Sequence, residues 1–351
     1  MQNDGGGQNM KKFLSFVLVC SLAVLTAACG GQGDQAGGGG AAPKKQFLNI
    51  ATASTGGTYY PIGVGLGQLW SEKLKDQGIT ATGQSSAGSV ENIDLLRNGE
   101  AHLAILQGLI GAMAWEGKGV FEGKKYEGLR SITMLWPNVE HYVLKNDKVK
   151  TGNLEDIKGT TFSVGPQASG TEQSTMVVFE GAGFGKEDIR PEYLGYNDSA
   201  SAIKDGRIDG ASMPAGVPVA AVTDLFASKA DVTVLEVTDE QLAAINNVVN
   251  TFYRFTIPAG TYPGQDKDIN TIAQPNWLGV SNELDEQTVY LLTKTLFENL
   301  DFMYGVHDSA KDLKLETALD GLPAPLHIGA YKYFKEKGLD IPENLTPPEA
   351  Q

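Results

Sequence analysis

Short strand-like segments alternate with helix-like segments along most of this chain, and that alternation constrains the fold more than any other feature. The strand-like pieces are short and apolar, whereas the helical pieces repeat apolar residues every three or four positions. This pattern is typical of an α/β protein. The predicted strands cover residues 48–53, 79–84, 103–107, 131–136, 142–144, 161–165, 210–213, 232–235 and 251–256. The predicted helices cover residues 90–97, 171–181, 200–205, 239–246, 285–299 and 328–337.

The alternation is interrupted at two places. Residues 131–147 hold two strand-like segments around Pro137, and residues 253–280 form a stretch punctuated by Pro and Gly. Two interruptions predict that the chain leaves a first lobe, builds a second and returns, with a cleft between the lobes. The expected divisions are lobe I over residues 46–138 and 270–345, lobe II over residues 139–269, and a tail over residues 346–351.

The first thirty residues have the layout of a secretory signal, because Lys11 and Lys12 precede an apolar run and small residues lead to Cys29. The cysteine resembles the lipobox of bacterial lipoproteins, which implies cleavage after residue 28 and a lipid on Cys29. The alternative is a membrane-spanning anchor, but the run is shorter than the roughly 20 residues that a span needs. We therefore expect an exported protein, lipid-anchored at the cell envelope in the periplasm or on the outer face of the membrane.

The same reading divides the N-terminal region into two parts. Residues 1–28 form the predicted signal peptide, and Met10 is an alternative start that would leave residues 1–9 untranslated. Residues 29–45 form the lipidated cysteine and a flexible tether rich in Gly, Ala and Gln.

Composition excludes several classes of function. The formal net charge of −14 argues against a nucleic-acid partner, since a phosphate backbone needs a basic surface. Cleavage would remove Cys20 and leave Cys29 as the sole cysteine, which excludes disulfides and cysteine metal sites. The four histidines have no metal-binding spacing, so we expect neither a metal ion nor a cofactor.

The turn over residues 52–61 combines small and hydroxylic residues. It follows the first predicted strand and leads into the first helix, a further helix-like segment in which Ile62, Leu66, Leu69 and Leu74 can share one face. Ser54 and Thr58 offer hydroxyl groups, Gly57 allows close backbone approach, and Pro61 suits an early helical position, where its missing N–H costs nothing. The first N–H groups of a helix attract anions. The turn therefore predicts a site for something small and negatively charged, and Tyr59 at the helix start is expected to line the cleft.

Three further turns have a similar composition. Residues 85–89, 166–172 and 214–218 each follow a predicted strand. A single turn of this kind is most often an ordinary helix cap. In an open α/β sheet, however, the carboxyl ends of the strands face the ligand crevice, so these turns are expected to converge on it. Inside the first helix, Gly63, Gly65 and Gly67 predict close helix packing rather than a dinucleotide-binding motif.

Six of these segments together resemble the TAXI-type solute receptors of TRAP transporters. The resemblance rests on residues 53–61, 85–92, 104–107, 164–171, 257–262 and 326–330. It implies a periplasmic-binding-protein-like fold of type II, in which two α/β lobes are joined by a two-crossing hinge. It also implies a monomer that captures a small organic anion, such as glutamate, a dicarboxylate or an oxoacid, for a separate ion-driven membrane permease.

The resemblance also implies which residues bind the ligand. They are Ser54, Gly57, Thr58 and Tyr59 of the first turn, Ser85, Ser86 and Ser89 of the second, Ser169, Gly170 and Thr171 of the third, and Gln107. None of these turns contains Arg or Lys. We therefore expect a ligand carboxylate to be held by backbone amides, hydroxyl groups and helix dipoles.

Two other classes of function remain open at this stage. Residues 84–88 approach the nucleophile elbow of serine hydrolases, with Ser86 at the elbow, but Gln84 replaces the leading glycine and no histidine has an obvious acid partner. We therefore expect a protein that is not an enzyme, with no catalytic residue. An envelope lipoprotein or adhesin without a transport role would fit the anchor and the acidic surface, but it would not require polar turns that face a cleft.

The lipoprotein assignment predicts that a Cys29→Ser variant loses lipid labelling, because the lipid is attached through the thiol. Incorporation of a labelled fatty acid in cells that express either form measures this. Equal labelling of the two forms would contradict the assignment.

Overall fold

The computed structural model of this chain describes residues 45–350. The predicted signal peptide, the predicted lipid site Cys29, the tether up to residue 44 and the last residue of the predicted tail lie outside the described residues. Within residues 45–350, no helix combines the length and the apolarity needed to cross a membrane.

The described residues form eleven strands and ten α-helices, joined by loops and short 3-10 turns. The strands are β1 (Gln46–Ala51), β2 (Ile79–Gln84), β3 (Leu103–Gln107), β4 (Leu129–Val139), β5 (Tyr142–Lys145), β6 (Thr161–Ser163), β7 (Arg190–Glu192), β8 (Gly210–Ser212), β9 (Val232–Leu235), β10 (Tyr253–Ile257) and β11 (Ile269–Ser281). The helices are α1 (Tyr59–Lys73), α2 (Ser89–Arg97), α3 (Gly108–Glu116), α4 (Gly170–Gly181), α5 (Tyr196–Lys204), α6 (Ala220–Ala227), α7 (Asp239–Val248), α8 (Glu286–Phe297), α9 (Leu300–Tyr304) and α10 (Ile328–Glu336).

The strands form two separate mixed sheets. Sheet A has the order β10-β11-β3-β1-β2, with β4 also paired to β11. Its strands β1, β2 and β3 are parallel, whereas β11 runs antiparallel to β3, β4 and β10. Sheet B has the order β7-β6-β8-β5-β9, in which β5 is antiparallel to both of its neighbours.

The chain crosses between the sheets twice. It leaves sheet A after β4, enters sheet B at β5, and returns between β9 and β10. This topology confirms the predicted fold class, a two-lobed α/β protein with two crossings. The connecting residues at the first crossing are Glu140 and His141, both fully buried.

Strand β10 and the start of β11 contact both halves of the molecule. Residues Tyr253–Ile257 fall within the range predicted for lobe II, yet they pair with β11 in sheet A. The side chains of Ile257 and Ile269 pack in the apolar cluster that also contains Val143 and Val222, which belong to the sheet B half. The exact lobe boundaries stay a prediction.

Helix α1 packs tightly on sheet A because its glycines have no side chains. Trp70 of this helix is fully buried, and its indole N–H donates to Leu292 O at 3.0 Å. A Cβ atom added at Gly67 would lie 2.9 Å from Ala81 O, which belongs to the backbone of β2. The predicted packing role of Gly67 therefore has a direct physical basis, since backbone atoms cannot move aside as a flexible side chain can.

We predict that Gly67→Ala lowers the free energy of unfolding by about 1–3 kcal/mol, the usual cost of overpacking, although alanine favours helix. Urea unfolding followed by circular dichroism measures this. The matched control is Gln68→Ala on the exposed face of the same helix, which should change stability by less than about 0.5 kcal/mol. Equal stability of Gly67→Ala and Gln68→Ala would contradict the packing argument.

Candidate ligand-binding site

A small cavity lies where the turns of the two halves meet. Its volume is about 30 Å³. The lining comes from both halves of the molecule: Ala53, Ser54, Gly57, Thr58, Tyr59, Ala87, Gly88, Ser89, Gln107, Pro166, Gly170, Thr171, Tyr196 and Pro214.

Five helices begin at this cavity. Its lining includes the N-cap or first residues of α1, α2 and α3 from the sheet A half, and of α4 and α5 from the sheet B half. The first N–H groups of a helix have no acceptor within the helix, and each helix start carries roughly half a positive charge. The cavity is therefore surrounded by hydrogen-bond donors and by positive potential.

The lining supplies this potential without charged side chains. Among the described residues, none that lines the cavity is Asp, Glu, Lys, Arg or His. Of these five helices, only α4 has an N-cap side chain that bonds to its first turn, that of Ser169. Side chains from other elements bond to two more, because the N–H of Leu109 in α3 donates to Gln274 Oε1 and that of Tyr196 in α5 donates to Ser54 Oγ. Burial raises the pKa of the Tyr59 phenol well above its usual value and does the same for Tyr196, so both remain neutral donors.

The structure brings together eight of the eleven residues predicted to bind a ligand. The eight that line the cavity are Ser54, Gly57, Thr58, Tyr59, Ser89, Gln107, Gly170 and Thr171. Ser85, Ser86 and Ser169 lie outside the lining, in the same turns. Contact of any of them with a ligand stays a prediction.

Local hydrogen bonds explain why two of the three serines lie outside the lining. The hydroxyl Oγ of Ser86 lies 3.0 Å from Thr52 O and 2.6 Å from Asn92 Oδ1, and it accepts from the N–H of Gly88 at 3.1 Å. Ser169 Oγ accepts from the N–H of Glu172 at 3.0 Å, the capping contact that its spacing predicts. Both hydroxyls are engaged in shaping their turns.

Hydrogen bonds join the two halves across the cavity. The N–H of Tyr196 donates to Ser54 Oγ at 3.1 Å, and the Thr58 hydroxyl donates to Gly216 O at 3.0 Å. Beside them, the N–H of Ala221 donates to Gly56 O at 3.2 Å. The turn at residues 52–61 is thus both a wall of the cavity and a bridge between the halves, which are closed on each other.

Tyr196 is the lining residue that the sequence analysis missed. The predicted helix started at residue 200, whereas α5 starts at Tyr196, after Gly195 as N-cap and with Asp198 in its first turn. The Tyr196 hydroxyl donates to Pro214 O at 2.6 Å and lies 2.9 Å from Thr171 Oγ1. The glycine followed by an acidic residue three positions later was the available sequence signal. Pro214 comes from the predicted turn at residues 214–218.

The contacts of the histidines do not support the hydrolase alternative. The imidazole of His141 bonds to Val139 O and the Tyr262 hydroxyl, and His327 bonds to Leu284 O and the N–H of Gly329. His102 and His307 accept from backbone N–H groups near them in the fold. Within residues 45–350, no histidine hydrogen-bonds to Ser86, so the elbow serine has no general base there. The same residues contain no cluster of His, Cys, Asp or Glu able to hold a metal ion.

Comparison with known proteins yields one family and several similar structures. Residues 50–338 match the model of the NMT1-like family. Three similar solved structures are the alkanesulfonate-binding protein SsuA from Xanthomonas axonopodis pv. citri bound to MOPS, a TRAP periplasmic solute-binding protein from Sulfitobacter sp. NAS-14.1 with bound β-D-galacturonate, and a putative L-cystine ABC transporter protein from Listeria monocytogenes.

These three likenesses are distant in sequence. The Xanthomonas protein is 12% identical, with 85% of this chain and 92% of that chain covered and a TM-score of 0.46. The Sulfitobacter protein is 13% identical, with 83% and 91% covered and a TM-score of 0.45. The Listeria protein is 12% identical, with 78% and 98% covered and a TM-score of 0.45.

The contacts of Ser86 predict that Ser86→Ala lowers the free energy of unfolding by about 1–3 kcal/mol, because it leaves buried partners without a hydrogen bond. Ser85→Ala is the matched control: Ser85 is exposed, and its loss should change stability by less than about 0.5 kcal/mol. Thermal and urea unfolding measure both. A Ser86→Ala variant as stable as the wild type would contradict the structural role.

Proposed function

This chain belongs to the NMT1-like family, and from that membership and the geometry of the cavity we propose that it is a solute-binding receptor of the cell envelope. It captures a small organic anion between its two halves and delivers it to a membrane permease. The observation that carries the proposal is the convergence of five helix N-termini on one cavity whose described lining has no charged side chain.

An anion is the ligand that such a cavity favours. A carboxylate accepts hydrogen bonds from several backbone N–H groups at once, and charge-assisted bonds of this kind are stronger than neutral ones. A ligand that carries only positive charge would face the positive ends of the helices and lose free energy on entering. The hydroxyl of Ser54 adds one donor, because its oxygen accepts from the N–H of Tyr196 and its proton can turn toward the ligand.

Capture requires the two halves to separate and close. Hydrogen bonds hold the halves together across the cavity, and the space left between them, about 30 Å³, has room for one or two water molecules. The ligand must therefore enter when the halves are apart. The bonds from Thr58 to Gly216 and from Tyr196 to Ser54 then re-form around it and stabilise the closed state.

The sequence resemblance makes this proposal more specific. We propose a TAXI-type receptor of a TRAP transporter, monomeric, exported and held at the envelope by a lipid on Cys29. Its ligand is glutamate-like, a dicarboxylate or an oxoacid, and its partners are the permease subunits. Membership in the NMT1-like family does not by itself identify the TAXI type, so motif, cavity and membership support this assignment together.

Isothermal titration of residues 45–351 against acidic amino acids, dicarboxylates and oxoacids tests the proposal. We expect micromolar or tighter binding of at least one acid, with no turnover of the ligand. If none of these acids binds, the envelope lipoprotein or adhesin is favoured. If one of them is turned over, an enzyme is favoured.

The bridge across the cavity gives a second prediction. Thr58→Val keeps the shape of the side chain but removes the bond to Gly216 O, so the closed state loses one hydrogen bond, worth about 0.5–1.5 kcal/mol. We expect the affinity for the bound acid to fall by about 3- to 10-fold in calorimetry. The matched control is Thr82→Val at an exposed position of β2, which should bind like the wild type. Unchanged affinity of Thr58→Val would show that closure does not use this bond.

A further inference from the structure

A group of buried polar side chains lies on one face of sheet A beside the cavity. In the register of the strands, Asn276 of β11 is opposite both Gln107 of β3 and Trp136 of β4, and Gln274 is opposite Asn138. Opposite residues, and residues two apart in a strand, share one face of a sheet. Glu140 lies two positions beyond Asn138 and belongs to the same group. We call this group the polar floor; its members are Gln107, Trp136, Asn138, Glu140, Gln274 and Asn276.

Most of the unpaired buried polar atoms in the described chain belong to this polar floor. The atoms without a hydrogen-bond partner are Gln107 Oε1, Trp136 Nε1, Asn138 Nδ2 and Oδ1, Glu140 Oε1, Gln274 Nε2 and Asn276 Nδ2, with Arg130 Nε elsewhere. A buried polar atom without a partner costs about 1–3 kcal/mol. Four of the seven atoms in the polar floor are N–H donors, and the three acceptors are Gln107 Oε1, Asn138 Oδ1 and Glu140 Oε1. Gln107 is the one floor residue that lines the cavity, and its unpaired acceptor points to a ligand that donates a hydrogen bond.

The polar floor is connected to the cavity through its lining. Gln107 belongs to both, and its Oε1 lies 2.5 Å from where a Cβ would stand on Gly170, so it packs against the start of α4 at the edge of the cavity. The Tyr59 hydroxyl donates to Asn276 Oδ1, and the Tyr59 ring packs edge-on against Trp136 at 5.7 Å between centroids. A ligand between the halves therefore lies next to Gln107 and one layer away from the rest of the floor.

Glu140 is the acidic member of the polar floor. The hydroxyl of Tyr142 lies 3.3 Å from its Oε2, and the side chains of Gln274 and Ser174 face it. Ser174 is one helical turn beyond Thr171 of the lining. Within the described chain, no Lys or Arg pairs with Glu140, and burial raises the pKa of Glu140 to about 8.

We propose that the polar floor recognises a protonated amino group and that Glu140 is the residue that makes the receptor select α-amino acids over the corresponding oxoacids. The carboxylate of the ligand binds the helix N-termini, and the ammonium group of the ligand donates to Gln107 Oε1. Glu140, in the layer of side chains behind the cavity lining, supplies the balancing negative charge. This inference rests on the proposed receptor function and narrows its ligand class.

The same arrangement links binding to a proton. At pH 7 the free protein holds Glu140 mostly protonated, and an ammonium group nearby favours the carboxylate, so binding of an amino acid releases a proton. The titratable groups facing Glu140 are Tyr59, Tyr142 and Tyr196, and burial raises the pKa of each, which keeps them neutral. His141 beside it has a pKa lowered by burial to about 4 and is neutral as well. Glu140 is thus the group that titrates here between pH 6 and 8.

Calorimetric titration with L-glutamate and with 2-oxoglutarate, which differ in the amino group, tests the inference. We expect the wild type to bind L-glutamate at least about tenfold more tightly, as expected for a charged hydrogen-bonded pair. Glu140→Gln should lower the affinity for L-glutamate by about that factor, and its affinity for 2-oxoglutarate should stay within about threefold of the wild-type value. The matched control Glu180→Gln removes an exposed negative charge from α4 and should leave both affinities within about twofold.

Different failures have different meanings. If the wild type binds 2-oxoglutarate as well as or better than L-glutamate, or if Glu140→Gln keeps the wild-type ratio, the inference is wrong and the receptor function stands. If the wild type binds no organic acid, the receptor function falls and the inference with it. Circular dichroism establishes that Glu140→Gln is folded.

If Glu140→Gln does not fold, titrations of the wild type alone test the inference. Its affinity for L-glutamate should rise from pH 6 to pH 8, and heats measured in buffers of different ionisation enthalpy should show proton release. Absence of both effects would overturn the inference.

Discussion

The structure depends on one electrostatic constraint: the first N–H groups of a helix need acceptors that the helix cannot supply. Here α1, α2 and α3 of one half and α4 and α5 of the other all begin at the same cavity. Their positive ends would repel one another in an empty, dry interface. Glu91, Glu172 and Asp198 in the first turns of α2, α4 and α5 offset part of this charge from outside the lining, and a negative group in the cavity would face all five helix starts. This arrangement supports the proposal of an anion clamp.

The rest of the molecule holds these helix starts in place. Parallel strands β1, β2 and β3 direct the first three helices from one edge of sheet A, and glycines such as Gly67 allow α1 to lie close to the sheet. Hydroxyls inside the turns, such as that of Ser86, bond to the local backbone and fix the shape of the turns. The turn at residues 52–61 also bonds to the opposite half, so in the proposed function closure of the halves accompanies ligand capture.

Local sequence patterns predicted the walls of the site but little of its floor. The order of strands and helices predicted that the turns containing Thr58, Ser89 and Thr171 converge on a crevice, because such a turn is formed by consecutive residues. The family resemblance then implied that these residues contact the ligand. Tyr196 was missed because its helix start lacks a hydroxylic cap. Of the polar floor only Gln107 was predicted, because Asn276 and the other members are far from it in sequence and meet it only through strand pairing. The two crossings were predictable, whereas the pairing of β10 with β11 depends on long-range register.

The central claim is that backbone amides at the helix starts hold the anion. Hydrogen–deuterium exchange with and without the tightest-binding acid tests it most directly. We expect new protection concentrated in the peptides that contain the first turns of α1, α2 and α4, with little change in α8 and α10, which contribute no residue to the lining. Protection absent from those first turns, or confined to other parts of the molecule despite tight binding, would contradict it.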